Sequence, residues 1–273
     1  LQLSELWNQL KAPPFGLKDG PVPVLLSHYL LLHDDQVGLY EDGRFLPGVD
    51  TAVIERLAKN PETFHCSSFA LEGLRKTYVR QLLEALGIDC PKNLTLLYAV
   101  KQVLRKVRKW PSHTRHTQTL SAQAMALRKA LLGAKEPDQL LFIDLPKAVG
   151  IENLTKASIT EAVPAIAAAM CALDGCFESL LIEMQEAIGQ ALNTVGEGVR
   201  GDVSLRAARL KNQILDPKLR AFSLALADQE LEADRDWLQR VGLSMLGRAP
   251  SEWIDADVQR FHVALNEMAP AFR

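Results

Sequence analysis

Four cysteines in 273 residues are too few to staple a fold of this size. Cys171 and Cys176 stand five apart with no partner pair, which argues against a zinc site. His113, His116 and the His65-Cys66 pair are too scattered to read as a metal set, so neither metal nor cofactor is expected. Sparse cysteine fits a reducing compartment, with the cytoplasm as default. Long apolar runs are also missing. The most apolar stretch, 162–173, is interrupted by Pro164 and ended by Asp174, short of the ~20 residues a bilayer requires, so no membrane partner is expected.

Reaction motifs are missing too. There is no GxxxxGK[ST] phosphate loop, no GxGxxG after a strand, no HExxH and no GxSxG. Carboxylate pairs occur at Asp34-Asp35, Glu41-Asp42 and Asp234 with Asp236, but each falls at a helix end, in a turn or on a solvated face. No catalytic activity is expected within the chain. It begins at Leu1, as a processed chain or a piece of a longer protein would, and a catalytic domain would then lie outside it.

What is present is an ordinary globular composition, 48% hydrophobic and 23% charged, enough for one large or two modest domains. The charge is segregated. Residues 90–135 carry ten of the 31 Lys and Arg and none of the 33 Asp and Glu, so a block of +10 sits in a background of −12. Clustered cations create a local potential that dispersed ones cancel, which points to a polyanion or an acidic protein surface as partner.

The fold class expected is mainly α: an N-terminal winged-helix-like part with a small β-hairpin, followed by an all-helical bundle. Three segments are read, a winged-helix-like module over 1–91, a basic helical segment over 92–150 and a bundle over 151–273. In the first, Leu3, Leu6, Trp7 and Leu10 recur at helical spacing and stop at Pro13-Pro14. A near-continuously apolar helix follows from Pro21 or Pro23 to Leu32. Asp42-Gly43 between two apolar-containing stretches predicts a hairpin. Asp50 or Thr51 caps a short helix, 64–69 reads as a short strand, and Gly87 closes a helix over 71–86. That helix places Arg75, Lys76 and Arg80 away from its apolar side.

The basic segment opens with a helix over about 93–110. Leu97, Val100, Leu104 and Val107 form its buried seam, Lys101, Arg105 and Arg108 one adjacent row, and Lys106 and Lys109 flank that row. Like charges at this spacing repel by a few tenths of a kcal/mol each, so something must compensate. Residues 110–117, with Arg115, His113 and His116, read as an exposed phosphate-contacting loop. A further helix runs from Thr119 or Ser121 to Gly133, and a short one restarts at Glu136 and breaks at Pro146. From Thr160, the residues Val163, Ile166, Met170, Leu173, Phe177, Leu180, Met184 and Ala187 alternate steps of three and four, the seam of a long core helix. Four more helices are read after the glycines of 193–201.

Three stretches resemble, as a set, the C-terminal regions of large bacterial proteins of anti-phage defence and restriction-like islands, some with an NTP-binding domain, including the BREX type. They are Ala12-Pro13-Pro14-Phe15-Gly16-Leu17-Lys18-Asp19-Gly20-Pro21-Val22-Pro23, Leu39-Tyr40-Glu41-Asp42-Gly43-Arg44-Phe45 and Trp253-Ile254-Asp255-Ala256-Asp257. These motifs bring no catalytic residues with them. The resemblance implies a non-catalytic module that couples an ATPase, in the same polypeptide or a partner, to DNA or to other defence subunits. The function expected is nucleic-acid binding, with duplex DNA backbone held by Lys101, Arg105, Lys106, Arg108, Lys109 and Arg115, and by Arg75, Lys76 and Arg80. The competing expectation is a helical scaffold that docks an ATPase or another subunit by charge complementarity, with Asp228, Glu230, Glu232, Asp234 and Asp236 as its acidic face.

Overall fold

The computed structural model describes residues 1–194, 198–210, 213–228, 230 and 233–272. It divides into two compact units. One comprises 1–109 and 121–170, the other 110–120 and 171–273. This differs from the three segments read from composition. The division falls inside a helix, where no linker chemistry marks it, and residues 110–120 belong with the C-terminal part.

The first unit starts with α1 (Leu3–Lys11) and α2 (Pro21–Leu32). Strands β1 (Val37–Glu41) and β2 (Arg44–Leu46) form the hairpin. Asp42 and Gly43 both take positive φ, 49° and 74°, the twist a tight hairpin needs. After α3 (Thr51–Lys59), strand β3 (Phe64–Ser68) pairs antiparallel on the other side of β1, giving the order β2-β1-β3. The hairpin is thus part of a three-stranded sheet rather than a free two-stranded wing. Asp50 caps α3 by accepting from Val53 N at 2.8 Å. Leu3, Val22, Leu26, Leu30, Leu39, Val53, Leu57 and Phe64 form the core between these helices and the sheet.

Helix α4 (Gly73–Ala85) ends as read, with Gly87 at φ 64° and Ile88 N donating to Leu83 O at 2.9 Å. Then come α5 (Leu96–Arg108), α6 (Ser112–His116, in the second unit) and α7 (Ala122–Leu132). Next, α8 (Pro137–Gln139) passes through a π turn (Leu140–Asp144) directly into α9 (Leu145–Ala148). Pro146 therefore does not break the helix. The ladder has widened just before it, which accommodates a residue with no amide donor.

Helix α10 runs from Lys156 to Ala191. It begins earlier than Thr160, at a turn where Ser158 N donates to Thr155 Oγ1 at 3.1 Å. Pro164 lies inside it, so the apolar stretch is longer than the proline suggested, and by length and composition the helix is able to cross a membrane. Its three-and-four seam is instead spent on protein: Val163, Ile166 and Met170 are buried in the first unit, and Leu173, Phe177, Leu180 and Met184 in the second.

In the second unit, the remaining part of α10 is joined by α11 (Val199–Leu210), α12 (Pro217–Leu226), α13 (Asp234–Leu246) and α14 (Asp255–Met268). The described residues of this unit include no strand, and its bounds, 110–120 and 171–273, are not the 151–273 read from the sequence. The start read for α13, at residues 231–232, lies outside the described residues. Phe177, Phe222, Trp237, Trp253 and Phe261 fill the core. Three of its polar side chains are paired with backbone: Ser204 Oγ donates to Leu226 O at 2.7 Å, Ser223 Oγ to Ala207 O at 3.1 Å, and Trp253 Nε1 to Arg248 O at 2.8 Å. The described residues are mainly helical, with one small antiparallel sheet among them.

Candidate nucleic-acid interface

The basic helix α5 starts at Thr95, whose Oγ1 accepts from Tyr98 N at 3.2 Å. Its first half is buried nearly all round. Leu96, Leu97, Ala99, Val100 and Val103 are enclosed by α4, α7 and α8. Only the last two turns leave a solvated face. Lys101 lies in the enclosed half, with its ammonium bonded to the Asp34 carbonyl and 3.1 Å from the Asp34 carboxylate. The residue is 8% exposed. Lys101 therefore does not share a surface row with Arg105 and Arg108: the helix face is continuous, but the burial along it is not.

The exposed end of α5 borders a groove of about 590 Å³. Arg105, Lys106, Arg108 and Lys109 line it together with Tyr98, Gln102 and the α4–α5 connection from Gly87 to Asp89. Four cations therefore face one carboxylate, Asp89. Tyr98 fixes the connection by donating from its hydroxyl to Asp89 O at 2.9 Å. Lys106 reaches Leu86 O at 2.9 Å, at the C-terminal end of α4. The repulsion among these cations has a visible offset. Arg105, Lys106 and Arg108 occupy the last turn of α5, where the helix dipole favours positive charge by about 0.3–1 kcal/mol each.

The other cations read from the sequence do not join this groove. Arg75 lies 4.5 Å over the Phe142 ring and bonds to Asp138 at 2.9 Å. It faces a different cavity, with Tyr78 and Ile143. Lys76 is half-buried and Arg80 exposed on α4, and neither lines the groove. Arg115 is exposed on α6 and belongs to the second unit. Residues 112–116 are helical, not a loop, and His113 is 5% exposed. His113 is thus no phosphate contact.

The acidic face proposed for the competing reading is partly neutralised at home. Asp228 pairs with Arg240 at 2.5 Å and Asp234 with Arg200 at 2.8 Å. Glu230 and Asp236 are exposed, and Glu232 lies outside the described residues. Among the described residues, no group of three or more His, Cys, Asp or Glu is placed to hold a metal ion.

Sequence reasoning missed a cavity of about 530 Å³ in the second unit, where α6, α10 and α14 bring His113, Glu183, Asp255 and His262 together. These residues are up to 149 positions apart (113 to 262), and no spacing rule joins them. Fold and site together define a mainly helical protein with a cationic groove on its first unit. No family model, curated protein or solved structure matches the chain.

Proposed function

We propose that the chain is a non-catalytic binding module that holds nucleic-acid backbone, duplex DNA first, in the groove at the end of α5. The observation that carries this reading is the concentration of Arg105, Lys106, Arg108 and Lys109 around one cavity with a single carboxylate among them. The groove displays no base-reading arrangement, so affinity comes from displaced counterions and is indifferent to sequence. The bacterial defence setting, cytoplasmic and with an NTP-binding domain in the same polypeptide or a partner, belongs to this proposal through the resemblance of the three sequence stretches.

Fluorescence anisotropy on a labelled duplex tests it. Arg105→Glu with Lys109→Glu turns the groove's net charge from +3 to −1 and is expected to abolish binding in a protein of unchanged circular dichroism. Lys101→Met is the control. It removes a buried ammonium without touching the groove, so binding stays at the wild-type level. Full binding by the double variant rejects the proposal.

That outcome would leave a scaffold as the reading, for which one observation speaks. Helix α2 is apolar on nearly every side, and Val24, Leu25, Tyr29, Leu31 and Leu32 remain 48–68% exposed. An apolar surface of this kind usually marks a contact with another protein.

A further inference from the structure

We infer that α2 joins two copies of this chain, laid antiparallel along its exposed face about a two-fold axis. This inference does not depend on the groove at the end of α5. Pro21, Val24, Leu25, His28, Tyr29 and Leu32 are exposed on α2, while Val22, Leu26 and Leu30 are buried in the core of the first unit. The exposed set steps by three, one, three, one and three, which keeps it on one side of a helix. No Asp, Glu, Lys or Arg occurs from Gly20 to His33, so nothing charged interrupts the stripe. On one side it widens into an apolar hollow of about 720 Å³ that Leu25 and Tyr29 share with Leu3, Leu6 and Leu10.

The occupant follows from how this face is arranged. Reversing the chain direction about the point between Leu26 and Ser27 carries the exposed set onto itself. Pro21 exchanges with Leu32, Val24 with Tyr29 and Leu25 with His28. Two copies packed antiparallel at about 8–10 Å therefore present each exposed side chain to another member of the same stripe.

The charges beyond the helix obey the same exchange. Lys18 stands three positions before Pro21 and Asp35 three after Leu32, so each Lys18 comes beside Asp35 of the second copy, twice over. Neither has an ion-pair partner among the described residues. Asp19 and Asp34, which the same operation brings together, are already neutralised by Lys11 and Lys101 of their own chains. The helix dipoles also run in opposite directions, with the positive end of one beside the negative end of the other. An unlike protein would need only an apolar surface, whereas this placement of charge is used only when the chain pairs with itself.

A contact built on one short helix falls at the low end of specific interfaces, below about 1,200 Å² in total, so the dimer exchanges with monomer. Sedimentation equilibrium of the full chain from about 1 to about 500 µM covers that range. The weight-average mass is expected to rise from 30.2 kDa toward twice that value. Val24→Glu sets a carboxylate on the stripe at a residue the core does not use, and is expected to keep the chain monomeric at every concentration with unchanged circular dichroism. Lys18→Glu and Asp35→Lys each turn two attractions into two repulsions and should weaken self-association about threefold or more. Lys18→Glu combined with Asp35→Lys restores it. A chain that stays monomeric over the whole range, whether α2 then takes a lipid surface or an unlike protein, overturns the proposal. So does a dimer that Val24→Glu leaves intact, or a charge-exchanged double variant that associates no better than either single one.

Discussion

Burial holds the His113 imidazole below its ordinary value of 6.5, against the opposing pull of Asp255, the Trp253 backbone and Glu183. The folded protein therefore takes up this proton less readily than the unfolded chain does. The stability tied to the neutral ring is complete above about pH 6.5 and is lost as pH falls below that value toward the lower folded one. Melting temperature should drop between pH 7.5 and 5.5, and His113→Gln should flatten the drop. Ion pairs elsewhere titrate lower. The hydrogen bond from the Lys11 ammonium, with a smaller one from Trp7, holds Asp19 below the usual carboxylate range, and Arg206 does the same for Asp202. A sequence could not have supplied this. His113 follows Pro111-Ser112 like any polar residue of a turn, and only the arrival of α10 and α14 from far along the chain encloses it.

Among the elements, α13 and the turn that follows it approach most closely at Gly242. A Cβ there would lie 2.5 Å from Cγ and 2.8 Å from Cδ of Pro250, and 2.8 Å from Cζ2 of Trp253. Both neighbours are buried, and Trp253 is held by its bond to Arg248 O, so neither side yields easily. Alanine improves helix propensity by about 1 kcal/mol, yet overpacking a close contact costs about 1–3 kcal/mol. Gly242→Ala is expected to be destabilising on balance, read as a lower urea midpoint at unchanged slope. Local signals of this scale were legible in advance. Asp42-Gly43, the Asp50 and Ser121 caps, Gly87 and the seam of α10 are each local chemistry acting over a few residues. The row on α5 failed for the opposite reason. Helical periodicity assigns a side, but how deep that side lies depends on what distant segments pack on it, and the buried Lys101 meets Asp34, from the turn after α2.

At the scale of the whole chain, a net charge of −2 conceals the feature that matters. Neutral-looking totals predict weak interaction with polyanions, whereas the groove sees a local excess of about three positive charges. For duplex DNA the logarithm of the binding constant is expected to fall with log salt at a slope of about −3, following about 0.9 counterions released per neutralised phosphate. A titration from 50 to 200 mM salt measures it, and a slope near zero would mean that contacts other than phosphate dominate. The charge block was readable because composition is additive along a sequence. The division into units was not, since it falls within α10 and draws 110–120 to the C-terminal part, and folding back of a short segment leaves no trace in composition.

Lys106 joins two of these threads. Its ammonium lines the cationic groove and at the same time closes the end of α4 through Leu86 O. Acylating that one nitrogen would strip a positive charge from the groove and loosen a helix terminus in a single event. A labelling experiment on this lysine would thus report occupancy and rigidity together, and a bound polyanion should shield it from reagent.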